Sequence, residues 1–170
     1  MDLTLLVLRV VVGLLFVGHG AQKLFGVFGG GGLEATAGMF DQIGLRPGWL
    51  HARAGGTAEF AGGLLIALGL FTPFAAAVLI AVMTAAVITV HLPNGIWGTN
   101  RGYEYNLVLA AVVFALAGVG AGSWSLDNAF GFDLAGTWWA VGALAVGLFG
   151  GGAAVISGRS VRSHEPHPAS

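Results

Sequence analysis

Residues 3–24 read LTLLVLRVVVGLLFVGHGAQKL, an apolar stretch long enough to cross a lipid bilayer as an α-helix. Only Arg9, His19 and Lys23 interrupt it with ionisable side chains. A cleaved signal peptide is not expected, because the stretch lacks a basic start and no small-residue cleavage site follows it. The segment predicts a membrane-spanning helix with more ionisable groups than a simple anchor needs.

Four further apolar stretches follow along the chain. They cover residues 54–71, 74–92, 103–119 and 136–156. Pro73 is suited to opening a helix, and the run Pro93-Asn94-Gly95 is typical of a turn. Because the backbone must satisfy its own hydrogen bonds inside lipid, each stretch is predicted to be a helix. The expected fold class is an all-α membrane protein, a four-helix transmembrane bundle plus an additional C-terminal transmembrane helix.

The chain is expected to form one membrane domain over residues 1–156. Residues 157–170 are rich in Ser, His and Pro, a composition typical of a disordered tail. Between the first two spans, residues 33–45 carry apolar side chains against acidic and amide ones. This short amphipathic segment is a candidate to lie along the membrane surface.

The composition excludes several classes of protein. Of the 170 residues, 56% are hydrophobic and 9% are charged, whereas soluble domains carry about 25% charged residues. The absence of cysteine excludes disulfides, thiol nucleophiles and iron–sulfur clusters. The net charge of −1 leaves no basic stripe for nucleic acid. Because apolar residues dominate the composition, the lipid bilayer is the expected surrounding.

The distribution of Lys and Arg predicts the orientation in the membrane. Six basic residues belong to the loops after spans one and three and to the tail: Lys23, Arg46, Arg53, Arg101, Arg159 and Arg162. The other side holds only Arg9. Since basic residues concentrate on the cytoplasmic side, we expect the N-terminus outside and the C-terminus in the cytoplasm.

Polar side chains in the spans point to a common site. An ionisable residue within a span costs about 2.5–3.5 kcal/mol, so each needs an explanation. Antiparallel helices bring the end of one span beside the start of the next, which places six polar residues near the cytoplasmic face: His19, Lys23, Glu59, His91, Glu104 and Asn106.

We expect Lys23 or His19 to pair with Glu59, and His91 to pair with Glu104. Two interpretations stay open, a ligand-binding or proton-handling site and a polar network that only fixes helix register. No residue is assigned a catalytic role.

Three further patterns are interpreted as structural. Arg9 near the outer face and Asp127 in the loop after span four predict an ion pair. No two histidines or carboxylates have metal-ligand spacing within one helix, so neither a metal nor haem is expected. The stripes Ala77-x3-Ala81-x3-Ala85 and Ala143-x3-Gly147-x3-Gly151 favour packing inside the bundle, with a homo-oligomer as the alternative.

Several runs resemble the DoxX family over roughly residues 5–128. They are GLLFVGHGAQKLFG at 13–26, EFAGGLLIALGLFT at 59–72, His91 followed by Asn94-Gly95, GYEYN at 102–106 and GAGSWSLD at 120–127. The resemblance implies a small bacterial inner-membrane protein with a four-helix bundle. Its recurrent polar positions map onto Arg9 and the six residues of the predicted site.

Relatives in that family are linked to redox work, as a quinone-reducing thiosulfate oxidoreductase subunit and in a complex joining superoxide dismutase to a sulfurtransferase during oxidative stress. The leading hypothesis is a redox-associated membrane protein, such as a subunit of a quinone-linked oxidoreductase complex. Its cytoplasmic-side pocket would bind a quinone or a similar lipophilic molecule, and a partner would supply electrons. The alternatives are a non-catalytic scaffold that docks soluble redox enzymes through residues 25–53 and the tail, and a small transporter or lipid-handling protein.

Overall fold

The computed structural model describes residues 2–160, which form α-helices joined by turns and loops and contain no strand. The helices are α1 (Asp2–Phe25), α2 (Gly32–Gln42), α3 (Gly48–Leu68), α4 (Thr72–Ala86), α5 (Glu104–Val119), α6 (Leu126–Ala129) and α7 (Thr137–Ser160). A π-helical turn, Val87–His91, and a 3₁₀ turn, Leu92–Asn94, continue α4, and a second 3₁₀ turn covers Gly98–Asn100. The predicted all-α fold is confirmed.

Three helical segments are long and apolar enough to cross a membrane: α1, α7 and the continuous segment Thr72–Asn94. The apolar helix α5 is shorter, at 16 residues. The predicted disordered tail begins too early, because α7 runs through Ser160. The rest of that tail, 161–170, lies outside the described residues.

The second predicted span starts earlier in the structure than in the sequence. Pro47 precedes the first helical residue of α3, and the Gly48 amide donates to the Asp41 carboxylate across 2.7 Å. The helix ends at Leu68 because Gly69 takes a left-handed conformation (φ +63°) that suits a glycine helix cap. Because α3 begins at Gly48, His51 and Arg53 are helical and are not loop residues.

Small residues bring the long helices together in two pairs. In α1 and α3, Gly13 lies against Gly63 and Gly20 against Gly56, so the two helices run antiparallel. In α4 and α7, the two small-residue stripes meet: Gly147 lies against Ala77 and Ile80, and Gly151 against Ala81 and Thr84, so these helices run parallel. Helix α5 packs beside α4 and α7. The stripes therefore serve packing inside the bundle, as predicted.

The interior and the outer surface of the bundle are both apolar. Phe16, Leu79 and Val113 are fully buried between helices. Large apolar side chains also face outward, with Phe149 and Trp138 of α7 at least 80% exposed. Such a surface suits contact with lipid.

We expect the α1–α3 contact to be sensitive to a single methyl group. A Cβ at Gly20 would lie 2.5 Å from the Phe60 backbone nitrogen, whereas one at Gly18 would meet nothing within 4 Å. Gly20→Ala should lower the free energy of unfolding by about 2 kcal/mol through overpacking. Gly18→Ala should be neutral or stabilising, since alanine favours a helix over glycine by about 1 kcal/mol. Denaturant titration in mixed micelles checks this, and equal effects of the two substitutions would contradict it.

Candidate functional site

The two ends of the bundle differ in their content of lysine and arginine. One end, which we call the basic end, holds Lys23, Arg46, Arg53, Arg101 and Arg159. A backbone hydrogen bond joins the α2–α3 loop to α7 at this end, because the Arg46 amide donates to the Gly158 carbonyl across 3.0 Å. The opposite, acidic end holds Asp2, Asp127 and Asp133. The loops fold so that the basic residues after α1 and α4 and at the end of α7 share one end.

A buried ion pair joins α1 to α3 near the basic end. The Lys23 ammonium lies 2.5 Å from Glu59 Oε2, as predicted for one of the two alternatives. The Glu59 side chain is 3% exposed and the Lys23 side chain is 25% exposed. The pair therefore places a carboxylate in the bundle interior with its cation reaching toward the surface. Among the described residues it is the one ion pair within 4 Å.

His19 and Asn106 do not join this pair. His19 is half-buried and contacts the Tyr105 ring edge to face, with ring centroids 6.0 Å apart. Asn106 is buried, and its amide donates to the Met83 sulfur across 3.5 Å. His19 lies on α1 one turn before Lys23, and Asn106 lies on α5, but the side-chain contacts of both are made with residues outside the Lys23–Glu59 pair.

The predicted His91–Glu104 pair does not form. His91 Nδ1 lies 2.8 Å from the Arg101 carbonyl oxygen, and Glu104 Oε2 accepts the Gly98 amide across 2.7 Å. The loop between α4 and α5 folds back so that the Glu104 amide donates to the Ile96 carbonyl. Backbone groups of this loop thus form hydrogen bonds with both side chains, and His91 and Glu104 do not pair with each other.

A cavity of about 480 Å³ lies at the basic end between α2, α3, α4 and α7. This volume is within the range of about 300–1,000 Å³ typical of small-molecule sites. The polar side chains of its lining are Lys23, His51, Thr89 and His91. The remaining lining is made mainly of alanine, valine and other apolar residues. A lipophilic molecule with one polar end fits this chemistry.

Only part of the predicted site reaches the cavity. Lys23 and His91 line it directly, and Glu59 is held against Lys23. His19, Glu104 and Asn106 are not among its lining residues. Helices α2 and α7 bound the cavity together with α3 and α4, whereas the sequence predicted a site formed by the first four spans.

Sequence reasoning missed His51, because the second span was expected to begin at residue 54. In the structure, His51, Gly55 and Glu59 are spaced four residues apart on α3, and the first two line the cavity. If the predicted helix had begun early enough to include His51, this spacing would have placed His51 on the same face as Glu59. Helix α7 supplies one wall of the cavity, through Gly151, Ala154 and Val155. The predicted site included no residue of this helix.

The π-helical turn places His91 at the cavity. It covers Val87–His91, and Thr89, Val90 and His91 from this turn line the chamber. The Thr89 hydroxyl donates to the Ala85 carbonyl across 2.7 Å. Single π-helical turns inside α-helices occur often at functional sites.

At the acidic end, Arg9 and Asp127 do not form the predicted ion pair. The buried Arg9 guanidinium donates to the Trp124 carbonyl and, across 3.4 Å, to the Leu68 carbonyl. The Asp127 carboxylate accepts the amides of Phe71 and Thr72 across 2.7 and 3.1 Å. The first turn of α4 has free amides that a carboxylate satisfies well, and this competes with the arginine for Asp127. Both side chains hold the α5–α6 loop against the α3–α4 junction.

Within residues 2–160, no group of three or more His, Asp or Glu side chains is arranged to hold a metal ion.

Comparisons with known proteins agree with this architecture. The DoxX family model matches residues 4–92, which include Lys23, His51, Glu59 and His91 and end before α7. A Bacillus subtilis protein named "Putative oxidoreductase CatD" is 33% identical over 113 residues, covering 66% of this chain and 78% of that protein. The Mycobacterium tuberculosis "Uncharacterized membrane protein Rv3486" is 29% identical over 131 residues, covering 71% and 77%. No solved structure matches the chain. The chain belongs to the DoxX family of membrane proteins.

Proposed function

We propose that this protein binds a quinone, or a similar lipophilic ring compound, in the basic-end cavity and serves a membrane oxidoreductase system. The observation that carries the proposal is a largely apolar cavity of about 480 Å³ with Lys23, His51 and His91 in its lining. Similarity to the protein named "Putative oxidoreductase CatD" supports a redox setting. The chain has no cysteine for an iron–sulfur cluster, and in this proposal a partner delivers the electrons.

Polar and apolar residues of the cavity lining would contact different parts of such a ligand. Ring oxygens are hydrogen-bond acceptors, and the Lys23 ammonium has three N–H donors, of which Glu59 engages one. The ring and its apolar substituents would lie against the small side chains of α4 and α7, such as Ala81, Ala85 and Ala154. Glu59 would hold the ammonium in position through their ion pair.

The same proposal assigns the basic end to the cytoplasmic side of a bacterial inner membrane. The five basic residues gathered there support this orientation through the positive-inside rule. Protons for a reduced ring would then come from the cytoplasm. Because the chain lacks cysteine, a single Thr99→Cys variant reports the orientation cleanly. An impermeant maleimide should label it only after cells are opened.

Direct binding tests the proposed ligand class. The protein in lipid nanodiscs should bind menadione or a short-chain ubiquinone saturably by isothermal titration calorimetry. Empty nanodiscs of the same lipid give the baseline, because quinones also partition into lipid. Heat equal to that baseline for both the naphthoquinone and the benzoquinone would contradict the proposal.

A further inference from the structure

The hydrogen bond on one side of His91 determines what the other side of its ring presents to the cavity. His91 Nδ1 lies 2.8 Å from the Arg101 carbonyl oxygen. A carbonyl oxygen only accepts hydrogen bonds, so Nδ1 must carry the proton. A neutral imidazole has a single N–H, and Nε2 is therefore left with its lone pair.

The surroundings fix this arrangement. The Asn94 side-chain amide donates to the same Arg101 carbonyl across 3.3 Å, which holds the acceptor in place. Among the residues that the structure describes, none forms a hydrogen bond to His91 Nε2. Since His91 lines the cavity, its unsatisfied acceptor is available to a bound molecule.

The other polar groups of the lining differ in character. The Lys23 ammonium has donors and no acceptor. His51 Nε2 is directed toward Gly158, and no hydrogen bond within the described chain fixes the tautomer of that ring. The Thr89 hydroxyl donates to the Ala85 carbonyl and keeps an acceptor oxygen of its own. Of the two histidines in the lining, His91 is the one whose acceptor nitrogen is set by the fold.

We infer that His91 Nε2 accepts a hydrogen bond from a ligand hydroxyl, so that the cavity prefers a phenol or hydroquinone to a ring whose oxygens only accept. This inference rests on the proposed function and specifies the form of the ligand. A fully oxidised quinone has two carbonyl oxygens, which satisfy Lys23 but leave His91 unpaired. A hydroxylated ring satisfies both residues.

Two matched ligands test the inference without any redox chemistry. The probes are 4-methoxy-1-naphthol, which has one O–H, and 1,4-dimethoxynaphthalene, in which that hydrogen is replaced by methyl. We expect the naphthol to bind wild-type protein in nanodiscs about tenfold more tightly, the value of one hydrogen bond. In His91→Asn this ratio should fall to about one, with affinity for the dimethoxy compound unchanged.

The choice of variants separates ligand recognition from structural support. Asparagine retains an amide donor for the Arg101 carbonyl but does not reach the position of Nε2. His19→Asn is the matched control, because His19 does not line the cavity, and it should preserve the tenfold ratio. Nitrogen-15 NMR of histidine-labelled wild-type protein gives an independent measurement, with a protonated Nδ1 and an unprotonated Nε2 expected for His91.

The outcomes distinguish the inference from the proposed function. Equal affinity of wild-type protein for the two probes, or an Nε2–H tautomer, would overturn the inference while menadione binding still supported the proposed function. Absence of saturable binding by menadione and both probes would overturn both.

Discussion

Lys23→Met is expected to lower the free energy of unfolding by about 3 kcal/mol, because it leaves a buried carboxylate without its cation. The Glu59 side chain is only 3% exposed, so little of its surface is available to water in place of the lost ammonium. Glu59→Gln should cost clearly less. The Lys23 side chain is 25% exposed, and its flexible stem allows the ammonium to reach the interface when the carboxylate is gone.

The double variant Lys23→Met/Glu59→Gln completes the measurement. It should be more stable than Lys23→Met alone, since no uncompensated charge remains in the interior. Arg159→Met is the control, because Arg159 is an exposed cation in the last turn of α7. Unfolding by denaturant in mixed micelles provides all four free energies. A larger loss for Glu59→Gln than for Lys23→Met would contradict the assignment of Glu59 as the buried member.

The sequence predicts the elements of this fold well because lipid imposes a simple rule. A long apolar run must become a helix in a bilayer, and the bounds of α1 differ by one residue at each end from the predicted 3–24. The pairing of Lys23 with Glu59 was also accessible, since antiparallel connection places the end of α1 beside α3. Both inferences depend only on depth in the membrane.

The rest of the site could not be predicted from the sequence. The depth of a residue in the membrane does not specify which side of its helix the side chain lies on. His19 and Lys23 are four residues apart on one side of α1, yet Lys23 reaches the cavity and His19 contacts Tyr105. The side chains of His91 and Glu104 are engaged by backbone groups of a loop whose conformation no pattern specifies. His51 was hidden by an error of six residues in the start of α3.

The additional C-terminal helix gives the strongest test of the cavity itself. Ala154 of α7 is half-buried and lines the chamber, whereas its neighbour Ala153 is exposed on the outer side of the same helix. Ala154→Phe should place a ring inside the cavity and weaken menadione binding by roughly a hundredfold, equivalent to about 3 kcal/mol of steric conflict with the ligand. Ala153→Phe should leave binding unchanged, because its ring would face away from the chamber.

A second pair on another wall shows whether the effect belongs to the chamber or to α7. Ala58 of α3 lines the cavity and is half-buried, and Ala61, three residues later, is exposed. Ala58→Phe should reproduce the loss of affinity, and Ala61→Phe should not. Because each substitution into the cavity fills empty space, the melting temperature should stay close to that of the wild type, which separates occlusion from unfolding. If both Ala154→Phe and Ala58→Phe are stably folded and bind menadione with wild-type affinity, the ligand lies elsewhere on the protein, and the chamber between α2, α3, α4 and α7 is not its site.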